Sequence, residues 1–213
     1  LRVLADLRTS LNRTGASAEK VVELAKLIVA NENLHFAGVL VYPSYAGERP
    51  AVLQVLAELE RAGINVEEVS GGGLGGSLEA EQFPELTELR VGTYLFNDWK
   101  SVTKGWAIQA NCAMTVSATV ISTPTTDRVL LDAGRKSISS DMIDNGHGHI
   151  VEYPEAHIYG LSEEHGHVDL SKCEKRPTIG ERVHSIPVHT CVVTNLHNQI
   201  YGVRGDNVEI TWP

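Results

Sequence analysis

The stretch His35–Tyr42, HFAGVLVY, is rich in valine and aromatic residues, which predicts a β-strand. On its N-terminal side, Ala18–Ala30 carries apolar residues at helical spacing, with Ser17 as a candidate N-cap. On its C-terminal side, Pro50–Ala62 predicts a second helix that stops at Gly63. A short strand between two amphipathic helices is typical of an α/β unit.

Two further strands extend this pattern. Val3–Leu7 is a short apolar run before the first helix, and Ile64–Val69 follows the second helix. The order β-α-β-α-β implies parallel strands joined by crossover helices. The first ninety residues are therefore predicted to form part of an α/β sheet or barrel.

The pattern changes after residue 95, where no long amphipathic helix follows. Short runs of alternating or β-branched residues take over, separated by Gly, Asn, Asp and Pro. The predicted strands are Ala113–Ser122, Arg128–Leu131, His149–Tyr153, His157–Leu161, Val183–Ile186, Cys191–Thr194, Gln199–Arg204 and Val208–Thr211. We expect a mostly antiparallel β domain, with a boundary within Asn97–Gly105 that gives domains of residues 1–97 and 98–213.

Composition excludes several classes of function. The net charge of −9 and the pI near 5.4 argue against nucleic-acid and anionic-membrane partners. No apolar run approaches the ~18 residues that span a bilayer. Three cysteines are too few for a disulfide framework, which favours a reducing compartment and hence the cytoplasm. Because the chain begins at Leu1 in a strand-like run and stops at Pro213 directly after another, we expect a fragment.

His189 and Cys191 are the most informative candidate functional residues. They lie in Pro187–Asn195, which reads as a strand, where residues i and i+2 point to the same face. Both are good zinc ligands, so they could bind one ion. The same spacing also fits two ordinary, half-buried side chains.

Three other segments are candidates for binding an anion. The glycine-rich run Ser70–Ser77 follows a predicted strand, where backbone N–H groups can cradle a phosphate, although it could also be a flexible connector. Arg90–Tyr94 offers a cation, a bare amide and a hydroxyl group, and Arg13 follows the first strand. Alone, Arg13 is better interpreted as a solvated arginine in a turn, and Arg90 is a weak signal because surface arginines are common.

Two histidine-rich turns are less informative. Glu163–His167 and Asn145–His149 could each supply a third metal ligand or a proton shuttle, and each could be solvated. For His147 and His149 we favour the solvated interpretation.

Taken in order, these motifs resemble the D-threonine aldolase and D-serine dehydratase family, which are fold-type III pyridoxal-phosphate enzymes related to alanine racemase. The matching segments are Asn12–Gly15, Ser70–Gly73, Glu88–Tyr94, Leu131–Gly134, Glu163–Gly166 and His189–Cys191. The resemblance implies the last three strands of an eight-stranded, TIM-like α/β barrel over residues 1–97. It implies the family's C-terminal β domain over residues 98–213, and a homodimer for the full-length protein.

The resemblance also implies roles for individual residues. Gly72, Gly73, Gly92 and Thr93 would hold the phosphate of pyridoxal phosphate. The other cofactor contacts would be Arg13 near the phenolic oxygen, Arg90 near the pyridine nitrogen and Tyr42 in the pocket wall. His189 and Cys191 would bind the divalent metal, which is zinc in the dehydratase-like members, and His165 is a possible catalytic neighbour.

One departure from the family matters. Its members join the cofactor to a Schiff-base lysine on an early barrel strand, whereas Lys20 and Lys26 fall on a predicted helix and Lys100, Lys104 and Lys136 follow the barrel strands. The chain therefore resembles an N-terminally truncated member, and alone it is expected to be inactive.

The expected full-length activity is that of a metal-dependent lyase. Its substrates would be D-β-hydroxy amino acids, either dehydrated and deaminated (D-serine, D-3-hydroxyaspartate) or cleaved by retro-aldol chemistry (D-threonine), and Cys191 favours the dehydratase branch. The alternatives are a metal-independent racemase and a non-catalytic protein that binds pyridoxal phosphate.

Overall fold

The computed structural model describes residues 1–213 and divides them into two compact units, Leu1–Gly92 and Thr93–Pro213. The first unit ends at Gly92, whereas the sequence places the boundary after residue 97.

The first unit is a parallel α/β layer. Its elements are β1 (Arg2–Leu7), α1 (Ala18–Val29), β2 (His35–Val41), α2 (Arg49–Arg61), β3 (Glu68–Gly72), α3 (Leu74–Leu78) and β4 (Glu88–Arg90). The strands lie in the order β1-β2-β3-β4, and every neighbouring pair is parallel. The sheet has four strands rather than the expected three, because the short Glu88–Arg90 segment adds one.

Fully buried side chains on both α1 and α2 cover this sheet. Val21 and Ala25 of α1, and Val52, Val55 and Leu59 of α2, are all 0% exposed. These positions recur at helical spacing, which is why the apolar pattern predicts the two helices well. The third strand starts later than predicted, at Glu68, since Ile64 and Val66 pack against the core from the connector before it.

Gly38 allows β2 and β3 to approach each other. Its φ is +152°, and a Cβ atom there would lie 1.9 Å from the backbone oxygen of Glu68. The position therefore excludes any side chain.

The second unit is mostly antiparallel. Its elements are α4 (Trp99–Thr103), β5 (Val116–Thr125), β6 (Arg128–Leu131), α5 (Arg135–Ile138), β7 (His149–Ile150), β8 (His157–Leu161), β9 (Gly166–Asp169), β10 (Arg182–Ile186), α6 (Thr190–Thr194), β11 (Ile200–Arg204) and β12 (Asn207–Trp212). Six strands form one sheet in the order β7-β10-β5-β6-β9-β8, and β11 and β12 form a separate hairpin. The backbone N–H of His147 donates to the Ile158 oxygen at 3.0 Å, so the two edges of the six-stranded sheet approach each other. Residues Val120, Ile158 and Val168, all 0% exposed, lie in the core of this unit.

The strand predicted at Cys191–Thr194 is wrong. Residues Thr190–Thr194 form the short helix α6, and His189 is its extended N-cap, with φ −143° and ψ 109°. Thr190 and Val193, three residues apart, are buried while Cys191 and Val192 are exposed. This helical burial pattern prevails over the high strand propensity of valine and threonine, which is a weak preference that depends on context.

Two further details differ from the sequence-based expectations. His149 is buried rather than solvated, with 7% exposure, and its ring stacks on Trp99 at 3.9 Å between centroids. The strand β9 is present although the sequence pattern does not predict it. None of the helices has the length and apolar character needed to cross a membrane.

Candidate functional site

The first candidate site lies where the parallel strands of the first unit end. Tyr42 directly follows β2, Gly72 ends β3, Arg90 ends β4, and Arg13 lies in the loop after β1. Parallel strands present their carboxyl ends at one edge of a sheet, which is where α/β folds build ligand sites. The order of elements therefore brings these four residues to the same edge.

Direct contacts connect these residues. The Arg13 guanidinium carbon lies 5.0 Å from the centroid of the Tyr42 ring, within cation–π range. A Cβ atom on Gly72 would lie 3.0 Å from Tyr42 Cδ2 and 3.2 Å from Arg90 Nη2, and one on Gly73 would lie 3.5 Å from Tyr42 Cε2. The structure thus gathers Arg13, Tyr42, Gly72, Gly73 and Arg90, which the sequence singled out separately.

Ser44 fixes the glycine loop, and sequence reasoning missed it. Its side chain is fully buried, and its Oγ accepts the Gly72 N–H at 3.0 Å. The Gly72 oxygen in turn accepts the Ser44 N–H at 3.0 Å. Because the Gly72 amide already has a partner, Gly72 contributes mainly by having no side chain. The next residue, Gly73, has a φ of +95°, a backbone conformation that favours glycine.

Neutral groups hold the Arg90 guanidinium. Its Nε donates to Ser70 Oγ at 2.8 Å and its Nη2 donates to the Val41 oxygen at 3.2 Å. The Ser70 hydroxyl itself donates to the Glu88 carboxylate. Since no carboxylate pairs directly with Arg90, its positive charge stays available at the sheet edge.

The second candidate site lies in the second unit around His189. The Nδ1 atom of His189 lies 3.0 Å from Oδ2 of Asp98, which is 1% exposed and caps helix α4. The other carboxylate oxygen, Oδ1, accepts the backbone N–H of Ser101 at 2.8 Å and its hydroxyl at 2.6 Å. Burial raises the pKa of Asp98, but the hydrogen bonds from His189 and Ser101 outweigh burial and hold that pKa below its usual value. The carboxylate is therefore ionised at neutral pH.

The second metal candidate, Cys191, is exposed in the first turn of α6. Its Sγ atom lies 3.6 Å from Thr93 Oγ1. The Nε2 atom of His189 makes no hydrogen bond in the structure, whereas the exposed Cys191 thiol contacts only the Thr93 hydroxyl. No group of three or more His, Cys, Asp and Glu side chains is arranged to hold a metal. The residues fit a site with two protein ligands, whose remaining positions would be open.

For three other sequence-derived candidates the structure shows no contact with either cluster. A Cβ atom on Gly92 would have no neighbour within 4 Å. His165 is exposed in the turn between β8 and β9, and its side chain makes no hydrogen bond. His147 Nδ1 lies 3.0 Å from the Asp141 oxygen, a local contact within its own turn.

Asp98 was also missed by sequence reasoning. An aspartate followed three residues later by serine, just before a short helix, is a recognisable N-cap pattern. That pattern predicts a helix start, but it does not predict that the second carboxylate oxygen meets a histidine 91 residues away.

Two protein-family models match the chain. The model for the alanine racemase N-terminal domain matches residues 1–98, and the model for a putative serine dehydratase domain matches residues 113–203. The chain belongs to the D-threonine aldolase and D-serine dehydratase family of pyridoxal-phosphate enzymes. The fold expected from the resemblance, part of an alanine-racemase-like barrel followed by a β domain, is confirmed.

Three of the relatives are enzymes of considerably greater length. D-threonine aldolase from Arthrobacter sp. is 29% identical over 99% of this chain and 59% of its own length. D-threo-3-hydroxyaspartate dehydratase from Delftia sp. is 26% identical over 99% of this chain and 64% of its own length. The crystal structure of D-threonine aldolase from Filomicrobium marinum has a TM-score of 0.84 at 26% identity and covers the whole of this chain. This chain spans 62% of that structure and therefore less than two thirds of each of these proteins.

Proposed function

We propose that the whole protein is a lyase that uses pyridoxal phosphate and a divalent metal to act on small D-β-hydroxy amino acids. Family membership supports the reaction class, because the relatives include a D-threonine aldolase and a D-threo-3-hydroxyaspartate dehydratase. The observation that carries the metal requirement is the contact between His189 Nδ1 and the buried Asp98 carboxylate, which leaves Nε2 without a hydrogen bond two residues before the exposed thiol of Cys191.

The cofactor would lie at the strand ends of the first unit. When bound, pyridoxal phosphate supplies a ring that accepts electrons from the reacting carbon. The absence of side chains at Gly72 and Gly73 lets the Tyr42 ring and the Arg90 guanidinium pack close to the backbone, which gathers these groups around the proposed cofactor site. Arg90 would present its guanidinium to the cofactor ring, and Arg13, stacked on Tyr42, would neutralise a cofactor oxygen.

A lysine that bonds the cofactor is absent from the described strands. The sequences of β1–β4 contain no lysine, and Lys20 and Lys26 lie on helix α1. In this proposal the first unit supplies the phosphate-binding edge and the second unit supplies the metal ligands.

The metal would be held by His189 Nε2 and Cys191 Sγ. A bound divalent cation supplies a Lewis acid for the β-hydroxyl group of the substrate. One nitrogen and one sulfur donor suit zinc. The solved structures of the Delftia dehydratase support this pair, because one of them is a cysteine-to-alanine variant described as metal-free. A companion structure replaces a histidine two positions before that cysteine, which is the spacing of His189 and Cys191, the one His-x-Cys pair in this chain.

The test uses the whole protein loaded with pyridoxal phosphate. Removal of the metal with a chelator should abolish turnover of D-threonine, D-serine and D-3-hydroxyaspartate while the visible absorption of the cofactor persists. Replacement of Cys191 with alanine should remove the metal and keep the cofactor. The matched control is Cys173→Ala, a buried cysteine in the core of the second unit, which should retain both.

The products separate this proposal from its alternatives. Glycine with an aldehyde identifies an aldolase, and a keto acid with ammonia identifies a dehydratase. Formation of the L-enantiomer without bound metal would identify a racemase instead. Full activity in the metal-free protein would rule out the metal role, and cofactor binding without any turnover would indicate a non-catalytic homologue.

A further inference from the structure

Asp98 is the one carboxylate that contacts His189, and it uses its two oxygens for different purposes. Oδ1 accepts both hydrogen bonds from Ser101, at 2.8 Å from the backbone N–H and 2.6 Å from the hydroxyl. Oδ2 is left for His189 Nδ1 at 3.0 Å. The helix cap therefore needs only one of the two oxygens.

Backbone contacts fix this pair of residues relative to each other. The N–H of Trp99 donates to the Pro187 oxygen at 2.9 Å, and the N–H of Lys100 donates to the Val188 oxygen at 3.3 Å. The first turn of α4 is thus held against the two residues that precede His189. The Asp98–His189 contact follows from this framework and not from two freely moving surface side chains.

The chemistry of the contact determines the form of the imidazole. An ionised carboxylate can only accept hydrogen bonds, so the hydrogen of a neutral His189 ring must sit on Nδ1. The lone pair then lies on Nε2, the nitrogen that makes no contact within the chain. Metal-bound histidines almost always donate their other N–H to such a partner, which orients the ring and raises its basicity.

We infer that Asp98 is the positioning residue of the metal site, which holds His189 as the Nδ1–H tautomer so that Nε2 binds the divalent cation. This inference rests on the proposed metal role of His189 and Cys191. It assigns Asp98 no contact with the metal or the substrate.

A capping role alone does not explain an aspartate at this position. Asn and Ser cap helices about as well as Asp does. A carboxylate that is 1% exposed is costly to bury unless it is paired, and its partner here is the His189 ring. The charged group is therefore explained by the histidine, whereas the cap could be made by a neutral side chain.

The experiment is a metal titration of the metal-free whole protein with Co²⁺ and Zn²⁺, in which the Co²⁺–thiolate absorption reports binding at Cys191. Asp98→Asn keeps the cap and the shape but can no longer fix the tautomer. We expect it to bind both ions about 10- to 100-fold more weakly than the wild type, as is typical when a metal-bound histidine loses its carboxylate partner. The matched control is Ser101→Ala, which disturbs the same helix cap and leaves the His189 contact, so its affinity should stay within about threefold.

A second measurement does not depend on any variant. Nitrogen-15 NMR of the neutral imidazole in the metal-free wild-type protein should show the hydrogen of His189 on Nδ1. A hydrogen on Nε2 would overturn the inference, as would an Asp98→Asn protein that binds Co²⁺ as tightly as the wild type while His189→Ala does not. That last pattern would leave the metal site intact. A wild-type protein with no metal site at His189 and Cys191 would instead refute the proposed function, and the inference with it.

Discussion

Ser44→Ala is the substitution that tests the glycine loop most directly. The variant removes the hydroxyl that accepts the Gly72 N–H at 3.0 Å, in a place where both residues are buried. A hydroxyl-sized gap replaces it, since a Cβ on either Gly71 or Gly76 would lie 2.8 Å from Ser44 Oγ.

The expected loss follows from that orphaned donor. A buried donor without a partner costs about 1–3 kcal/mol, so the free energy of unfolding should fall by that amount. If all of this free energy shifts the glycine loop away from the conformation that binds the cofactor, cofactor affinity should fall by up to about 5- to 150-fold. The first quantity is measured by urea unfolding, and the second by titration of the whole protein with pyridoxal phosphate.

Ser77→Ala provides the matched control. Ser77 lies in the same segment, but its hydroxyl only donates to the Leu74 oxygen at 2.7 Å, inside its own short helix. Its loss should cost about 0.5–1.5 kcal/mol, the net value of an ordinary hydrogen bond, and should leave cofactor affinity unchanged. The reasoning fails if Ser44→Ala unfolds like the wild type, or if both variants lose the same cofactor affinity.

Three other predictions concern the stability of the two units. Gly38→Ala should destabilise the protein by more than about 4 kcal/mol because its Cβ has no room, whereas Gly47→Ala, with nothing within 4 Å, should be neutral; denaturant unfolding compares them. Ile158→Ala should cost about 2–5 kcal/mol, since the side chain is 0% exposed in the core of the second unit, and an unchanged thermal midpoint would contradict that placement. Burial and the hydrogen bond to Glu181 raise the pKa of Tyr153 to about 12, and the same bond lowers the pKa of Glu181 below 4.5. The stability advantage of the wild type over Tyr153→Phe should therefore be full at neutral pH, shrink as Glu181 is protonated in acid, and shrink as the pH rises from 10 to about 12; an advantage that is equal at pH 7 and pH 3 would refute the linkage.

The sequence predicts the first unit well because its elements are long and periodic. Val21 and Ala25, four residues apart on α1, reveal the buried face directly. The convergence of Tyr42 and Arg90 could also be anticipated, since parallel strands end at one edge. By contrast, β4 is only three residues long, which is too short to show a period.

The second unit is harder to predict because tertiary packing decides its short segments. Cys191–Thr194 has strand-forming residues yet forms a helix, since one turn of helix is enough to bury Val193. The pairing of His189 with Cys191 was proposed from strand geometry that the structure does not have. The two residues remain candidates because Asp98 holds His189 through Nδ1 and the Cys191 thiol is exposed. Ser44 and Asp98 could not be found from sequence because their partners are 28 and 91 residues away, respectively.

Because one oxygen of the Asp98 carboxylate caps helix α4 and the other contacts His189, ligand binding at His189 is coupled to local opening of the helix cap. The amide hydrogen of Ser101 can exchange with solvent only when its bond to Oδ1 breaks, and the opposite oxygen of the same rigid group is tethered through the His189 ring. Any occupant that locks this ring also restrains the carboxylate, and so slows the opening of the α4 cap. The hydrogen-exchange rate of the buried Ser101 amide therefore reports whether a ligand is bound at His189.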